Sequence, residues 1–346
     1  VPADILAALP VVFAVSWLLT AGIRRVALAR GVLDLPGSRS SHSRPTPRGG
    51  GLAIVITFLT AIAVMAVLGS MPRSLASALF VGGLVVGIIG LVDDVRSTPV
   101  LVRLTVQFAA FVWCVWLLGP LPPLQVGAAA HDLGIAGSVI AVIFLVWFLN
   151  LYNFMDGIDG IAGVEAISVM TFAAVLLASA PGDSPPAAAL LVGAVSVLGF
   201  LAWNWPPAKI FMGDSGSGFL GFCLGAIAWE TIVERRLSCW VWLILLGAFI
   251  VDATVTLVRR WARGARLTHA HRSHAYQRLS RRYGSHKKVT LGILGINLLW
   301  LDPIAYWAYR RPAWGAALAL LAWLPLILTA YGSGAGVDEP HSGRAG

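Results

Sequence analysis

The chain has 346 residues, 58% of them hydrophobic and 12% charged, against about 25% charged in an ordinary soluble domain. That composition excludes a soluble globular fold, and a formal charge of +9 on so apolar a chain does not describe a nucleic-acid binder. An all-α polytopic membrane protein is the expectation.

A helix needs about 20 apolar residues to cross the hydrocarbon, and on that basis the chain divides into about eleven transmembrane helices. They are expected at 5–23, 50–69, 75–92, 101–118, 135–152, 160–180, 186–204, 216–233, 239–258, 289–307 and 313–331. The first lacks a basic leader and a small-residue cleavage site, so it reads as a retained span and not a signal peptide. Stretches 119–134 and 181–186, rich in Pro, Gly and Ala, read as external turns. Cys114, Cys223 and Cys239 have no ligand spacing and read as buried or lipid-facing thiols. Residues 1–331 are expected to form one transmembrane catalytic domain, and the polar, Gly-rich 332–346 a disordered tail.

Lysine and arginine are retained on the cytoplasmic side of short loops. With the N-terminus outside and the C-terminus cytoplasmic, 20 of the 25 basic residues fall in inner loops, at the loop edge (Arg103) or in the tail, and five, Arg73, Arg235, Arg236, Arg310 and Arg311, fall outside. The inner loops are then 24–49, 93–102, 153–160, 204–216 and 259–288. Attraction to anionic membrane lipids accounts for part of the positive charge, and an anionic substrate for the rest.

Carboxylates cluster in these same loops. Asp93-Asp94 ends one apolar segment. Adjacent carboxylates repel unless a cation intervenes, which is how Mg²⁺ is recruited beside phosphates; general-base chemistry, a helix cap, or pairing with Arg96 and Arg103 are the other readings. Asn150, Asn153, Asp156 and Asp159 recur every third residue, so neighbours in the series share a helical face that needs a polar partner. In Phe211-Met-Gly-Asp214-Ser-Gly-Ser an Asp stands among glycines at a helix start, which fits an N-cap or a phosphate site on exposed amides. Asn204 and Lys209 just upstream supply an amide and a cation, and Phe211 a stacking face for a base. The loop His269-Ala-His271-Arg272-Ser-His274 has no zinc spacing; with Arg278, Arg281 and Arg282 it suits a polyphosphate or is a solvated charge run. Asp252, inside the ninth span, is expected to pair with Arg259 or Arg260.

In this order the motifs resemble the polyprenyl-phosphate N-acetylhexosamine-1-phosphate transferases of glycosyltransferase family 4, the WecA-like and more distant MraY-like enzymes. The resemblance runs from about Asp34, through Pro45-Thr-Pro-Arg-Gly-Gly-Gly51, to about Thr290. It implies transfer of a HexNAc-1-phosphate from a UDP-N-acetylhexosamine to undecaprenyl phosphate with release of UMP, at the cytoplasmic face of the bacterial inner membrane. Mg²⁺ is the implied cofactor, with Mn²⁺ as a substitute. Carried onto this chain, Asp93 and Asp94 match the paired aspartates, one as base and one near the metal. Asp214 matches the principal metal ligand; Asn153, Asp156, Asn204 and Phe211 match positions around the nucleotide, and Asp159 completes an Asp-Gly-Ile-Asp-Gly signature.

The last loop departs from the family's Asp-Arg-x-His-x-His-His. Here it reads His271-Arg272-Ser273-His274-Ala275-Tyr276-Gln277, retaining only His274 of the expected histidines, and it resembles the branch that starts O-antigen chains on fucosamine-type sugars. The site expected is therefore Asp93, Asp94, Asp156, Asp159 and His274 as catalytic groups, Asn150, Asn153, Asn204, Lys209, Phe211, His271 and Arg272 on the substrate, and Asp214 with Asp94 on the metal. A second copy of the chain is a candidate partner. A lipid-linked sugar flippase and a Mg²⁺-dependent membrane prenyltransferase are the competing functions.

Overall fold

The computed structural model describes residues 1–37, 44–180, 182–265 and 271–337. The fold is all-α. Its elements are α1 (Ala3–Ala29), a two-residue pair β1 (Leu33–Asp34) and β2 (Thr46–Pro47), α2 (Gly51–Val67), α3 (Arg73–Val95), α4 (Val100–Leu118), a short hairpin β3 (Leu124–Val126) and β4 (Ala129–His131), and α5 (Gly134–Phe154). There follow α6 (Ile161–Ala178), α7 (Pro185–Asn204), α8 (Asp214–Val233), α9 (Cys239–Leu245), α10 (Gly247–Ala262), α11 (Ala275–Tyr283), α12 (His286–Arg310) and α13 (Pro312–Gly332).

Among the described residues nine helices are long and apolar enough to cross a membrane, α9 and α10 make a bent pair, and α2 is a shorter apolar helix. Each of the eleven expected segments therefore corresponds to a helix or to the bent pair. Segment 239–258 is not one continuous helix: the chain bends by 78° between α9 and α10. The break falls at Leu246-Gly247, where a side chain on Gly247 would meet the Trp323 indole of α13 at 3.2 Å. Beyond it come Asp252, Thr256, Arg259 and Arg260, and the turn carries the first of these to the start of α11.

Helix α8 is the axis of the bundle: 89% of its apolar window is buried, against 17% for α1 and 22% for α4 and α13, whose apolar faces lie outermost. Within lipid, helices associate through close packing rather than through the hydrophobic effect, which favours small residues at their crossings. Gly51 at the start of α2 and Gly216 in the first turn of α8 illustrate this: a Cβ on Gly51 would lie 2.3 Å from the Gly216 Cα. Asn297, in a π-turn of α12, donates to Glu165 (2.8 Å) and Ser168 (2.7 Å) of α6, a buried polar tie between spans.

Residues 333–337 correct the expectation of a tail unordered from 332. Arg278 of α11 donates to the Ser333 carbonyl at 2.8 Å and the Val337 carbonyl at 2.9 Å, and the Gly336 amide donates to Ser273 at 2.8 Å. A guanidinium that finds two carbonyls holds this stretch against α11. Residues 338–346 lie outside the described ones, as does His269 of the histidine loop.

Candidate active site

Four chain segments converge at one end of the bundle. Segment 47–51 runs beside 211–212: the Phe211 amide donates to Pro47, Gly50 to Phe211 and Gly51 to Met212, at 2.8–2.9 Å. This juxtaposition brings Arg48 against the first turn of α8. From the other side, α3 delivers Asp93 and Asp94 to the same turn through Gly90, where a Cβ would stand 2.6 Å from the Asp214 carbonyl.

Asp94 accepts the amides of Asp214 (2.8 Å) and Ser215 (3.0 Å), and Arg48 Nε lies 3.0 Å from it. It is a helix cap supplied by another helix. Gly213, at φ +78°, permits this approach, since a side chain there would meet the Asp94 carboxylate at 2.6 Å. Both Asp94 oxygens thus accept an amide, each with a lone pair to spare, and Asp94 positions Asp214. The Asp214 carboxylate itself is bridged by Arg48 at 3.2 Å and approached by Arg103 at 3.6 Å. Asp93 pairs with Arg103, takes the Thr98 amide at 2.7 Å, and shares Arg103 with Asp214. Of the two arginines expected as its partners, Arg103 is the one that pairs.

The central cavity, about 300 Å³, is lined by Arg48, Asn153, Asp156, Asp159, Asn204, Phe211 and Asp214, and also by Asp34, Gln277 and His286. A smaller cavity of about 80 Å³ adjoins it behind Asp214 and contains Asp93, Arg103, Gln107, Asn150 and Asn153. Burial, and then the neighbouring charge of Asp214, pushes the Asp156 carboxyl up to about 7. Burial opposes the charge of Arg48, but Asp94 and Asp214 outweigh it and raise its pKa.

The remaining expected residues take more varied places. Asn204 lines the cavity and also staples it: its carbonyl accepts the Gly160 amide and its amide donates to Ile210, both at 2.9 Å. Asp159 accepts the Ala208 amide at 3.0 Å and lies 3.3 Å from His286, joining three segments of the rim. Asn150 donates to Gln107 at 2.7 Å, facing the smaller cavity.

Three expectations need correction. Lys209 is exposed, with its ammonium 5.6 Å from the Trp203 ring, and does not line the cavity. His274 is buried: it begins α11, stacks between His271 and Tyr276, and lies 3.4 Å from Asp252. Neither it nor His271 nor Arg272 lines the cavity, where Gln277 stands instead. The cause is Asp252, which does not take up Arg259 or Arg260 as expected but accepts the Ala275 (2.8 Å) and Tyr276 (2.9 Å) amides, fixing how α11 is presented.

Arg48, Asp34, Gln277 and His286 are the cavity residues that the sequence reading missed. Arg48 had a signal, since it lies within the Pro-Thr-Pro-Arg-Gly-Gly-Gly run; His286 had none, because only the fold brings it to Asp159.

Against a divalent cation the donor set fits in one specific way. Among the described residues no group of three or more His, Cys, Asp or Glu side chains forms a closed metal cage. Mg²⁺ usually takes one or two protein carboxylates and completes its shell with water and substrate phosphates, and Asp214 with Asp94 or Asp93 supplies that number. With Asp34, Asp156, Asp159 and Asp214 and a single arginine among the described lining residues, a pyrophosphate would meet repulsion unless a cation accompanied it.

The Glycosyl transferase family 4 model matches residues 76–232. The chain is 30% identical over 337 residues to the decaprenyl-phosphate N-acetylglucosaminephosphotransferase of Mycolicibacterium smegmatis, covering 87% of this chain and 79% of the relative. It is 29% identical over 285 residues to a probable undecaprenyl-phosphate N-acetylglucosaminyl 1-phosphate transferase of Bacillus subtilis (82% and 79%). A phospho-N-acetylmuramoyl-pentapeptide-transferase of Picosynechococcus is 30% identical over 228 residues (62% and 59%). The paired aspartates, the Asp214 turn and the helices that join them all fall within the matched stretch, and the chain belongs to glycosyltransferase family 4.

Proposed function

We propose that the protein transfers an N-acetylhexosamine 1-phosphate from a UDP-sugar to a polyprenyl phosphate, undecaprenyl phosphate in a bacterial inner membrane, with the site at the cytoplasmic face. The observation that carries this reading is the Asp93–Asp214 pair at the start of α8, bracketed by Arg48 and Arg103 and open to two adjoining cavities. The larger cavity, with Phe211 and Asn204, takes the nucleotide sugar; the smaller, with Asp93, Arg103 and Asn150, takes the acceptor phosphate.

An acceptor phosphate oxygen attacks the β-phosphorus of the UDP-sugar; the new P–O bond forms as the bond to UMP breaks, and UMP leaves. Arg103 holds the acceptor phosphate, and Asp93 orients it or takes its proton. Arg48 shifts from Asp214 toward the donor phosphates. Asp214, with Asp94 or Asp93 beside it, would hold Mg²⁺ or Mn²⁺, which supplies charge neutralisation to the pyrophosphate. Most of the acceleration then comes from positioning and electrostatics, as in other phosphoryl transfers. The product would start a lipid-linked cell-surface polysaccharide of the O-antigen type.

The test is UMP release by purified protein given undecaprenyl phosphate and a panel of UDP-N-acetylhexosamines, with and without EDTA. Lipid-dependent UMP abolished by EDTA is expected. Release without acceptor lipid, or unaffected by EDTA, would remove the reading.

A further inference from the structure

The largest of the described cavities lies at the end of the bundle opposite the carboxylates. It encloses about 730 Å³ between the ends of α6, α8 and α12 and the start of α9. Among the described residues its charged lining consists of Arg235, Arg236 and Arg310, with no carboxylate. Basic residues are scarce at this end: of Arg73, Arg235, Arg236, Arg310 and Arg311, three line this one cavity and a fourth adjoins it in sequence.

The three arginines are not equivalent. Arg236 is committed to the wall, paired with Glu234 at 2.9 Å and donating to the Asp183 carbonyl at 3.3 Å. The side chains of Arg235 and Arg310 have no hydrogen-bond or ion-pair partner among the described residues. Arg235 is also the single described non-glycine residue in the left-handed region, at φ 55°. It follows the end of α8, with the Arg236 and Leu237 amides returning to Thr231, at a position where glycine is the usual and unstrained occupant. The backbone there thus tolerates strain while presenting a guanidinium.

Two further features point to a ligand. The Ser238 hydroxyl, in the cavity wall, is buried with no hydrogen-bond partner among the described residues, and buried polar atoms are ordinarily satisfied. Much of the remaining lining is apolar, with Leu121, Leu124 and Ile232 half-buried beside the almost fully buried Leu177 and Leu237. Guanidinia and a hydroxyl in a wall that is otherwise largely apolar match a phosphate group attached to an acyl chain, because arginine pairs with phosphate through directed, charge-assisted bonds and the aliphatic side chains supply an apolar floor.

We propose that this cavity binds a phosphate group through Arg235, Arg310 and Ser238, the natural source being the headgroup of an anionic phospholipid whose chain lies on the apolar floor. The site is remote from the carboxylate cavity and distinct from the acceptor-lipid site proposed above.

The experiment uses the full chain in non-ionic detergent and native mass spectrometry, with phosphatidylglycerol, phosphatidylcholine and inorganic phosphate as separate probes. The wild type and Arg235→Gln/Arg310→Gln are compared, along with melting temperatures. Wild-type protein is expected to hold one more phosphatidylglycerol than the double variant, at least tenfold more tightly, with no such difference for phosphatidylcholine. If inorganic phosphate at low millimolar concentration raises the melting temperature of the wild type and not of the variant, the phosphate site stands and its source is a free anion. Arg235→Gly gives a second readout: it relieves the left-handed strain, so the lipid-free melting temperature is equal or higher, while the phosphatidylglycerol-dependent rise disappears. Equal binding of both lipids by wild type and variants, with inorganic phosphate silent, would overturn the proposal.

Discussion

Asp94 is bound to the backbone of Asp214: its carboxylate accepts the Asp214 amide at 2.8 Å and the next amide at 3.0 Å. One aspartate of the pair thus secures the helix that displays the other site's carboxylate. Hydrogen bonds to a charged acceptor contribute about 1.5–3 kcal/mol each. Asp94→Ala is therefore expected to lower both the melting temperature and kcat, whereas Asp214→Asn leaves the melting temperature nearly unchanged and reduces UMP release by at least about a hundredfold. Thermal unfolding in detergent beside initial rates separates the two. Equal melting losses for both would remove the division of labour.

Arg48 and Lys209 are expected to part company. Arg48 bridges Asp94 and Asp214 and lines the cavity, so Arg48→Gln should lose most of the transferase rate. Lys209 is exposed over Trp203 and outside the cavity, so Lys209→Ala should leave KM for the UDP-sugar within about twofold, as for other surface charges. A large KM increase for Lys209→Ala would restore it to the substrate site.

The crossing of α2 and α8 leaves no space for a methyl group. Gly51→Ala would place Cβ 2.3 Å from Gly216 Cα and 2.8 Å from the Met212 carbonyl, both backbone atoms that cannot swing aside. Overpacking of this kind costs about 1–3 kcal/mol. Gly22→Ala in α1, with nothing within 4 Å, is the control and should be neutral or slightly stabilising. Equal melting temperatures for the two variants would contradict the crossing.

At α11 the prediction concerns Asp252, which receives two amides of the first turn. Asp252→Ala should reduce activity through the placement of Gln277, with His274→Ala acting mainly on stability because that ring is buried. Gln277→Ala, by contrast, should change KM for the sugar nucleotide at unchanged melting temperature. Kinetics across several UDP-sugars would register the difference.

The pH dependence of stability without divalent cations follows from Asp156. Its carboxyl has an ordinary value of 3.8 and is pushed up to about 7, by burial first and then by Asp214. A group raised on folding binds more protons in the native state, so its contribution is fully present below about pH 4 and is lost as pH rises through about 7. The melting temperature should therefore fall across that window, and Asp156→Asn should flatten the slope. An unchanged slope in the variant would assign it to another group.

The sequence by itself determined the fold class, the helical segments and the end of the bundle where chemistry gathers, because these depend on local apolar length and on where carboxylates interrupt it. It also singled out Asp93, Asp156 and Asp214, which line the two adjoining cavities and whose surroundings in the chain are polar loops between spans. Tertiary structure alone decided which side chains face the cavity. Asp94 turned to cap α8, His274 was buried behind α11, Lys209 lay outside, and Arg48 and His286 entered from segments distant in the chain. The physical reason is that apolar length specifies a helix but not its rotation or neighbours. Those follow from the glycine crossing of α2 with α8, the 78° bend after α9, and carboxylates that find unpaired amides on another helix.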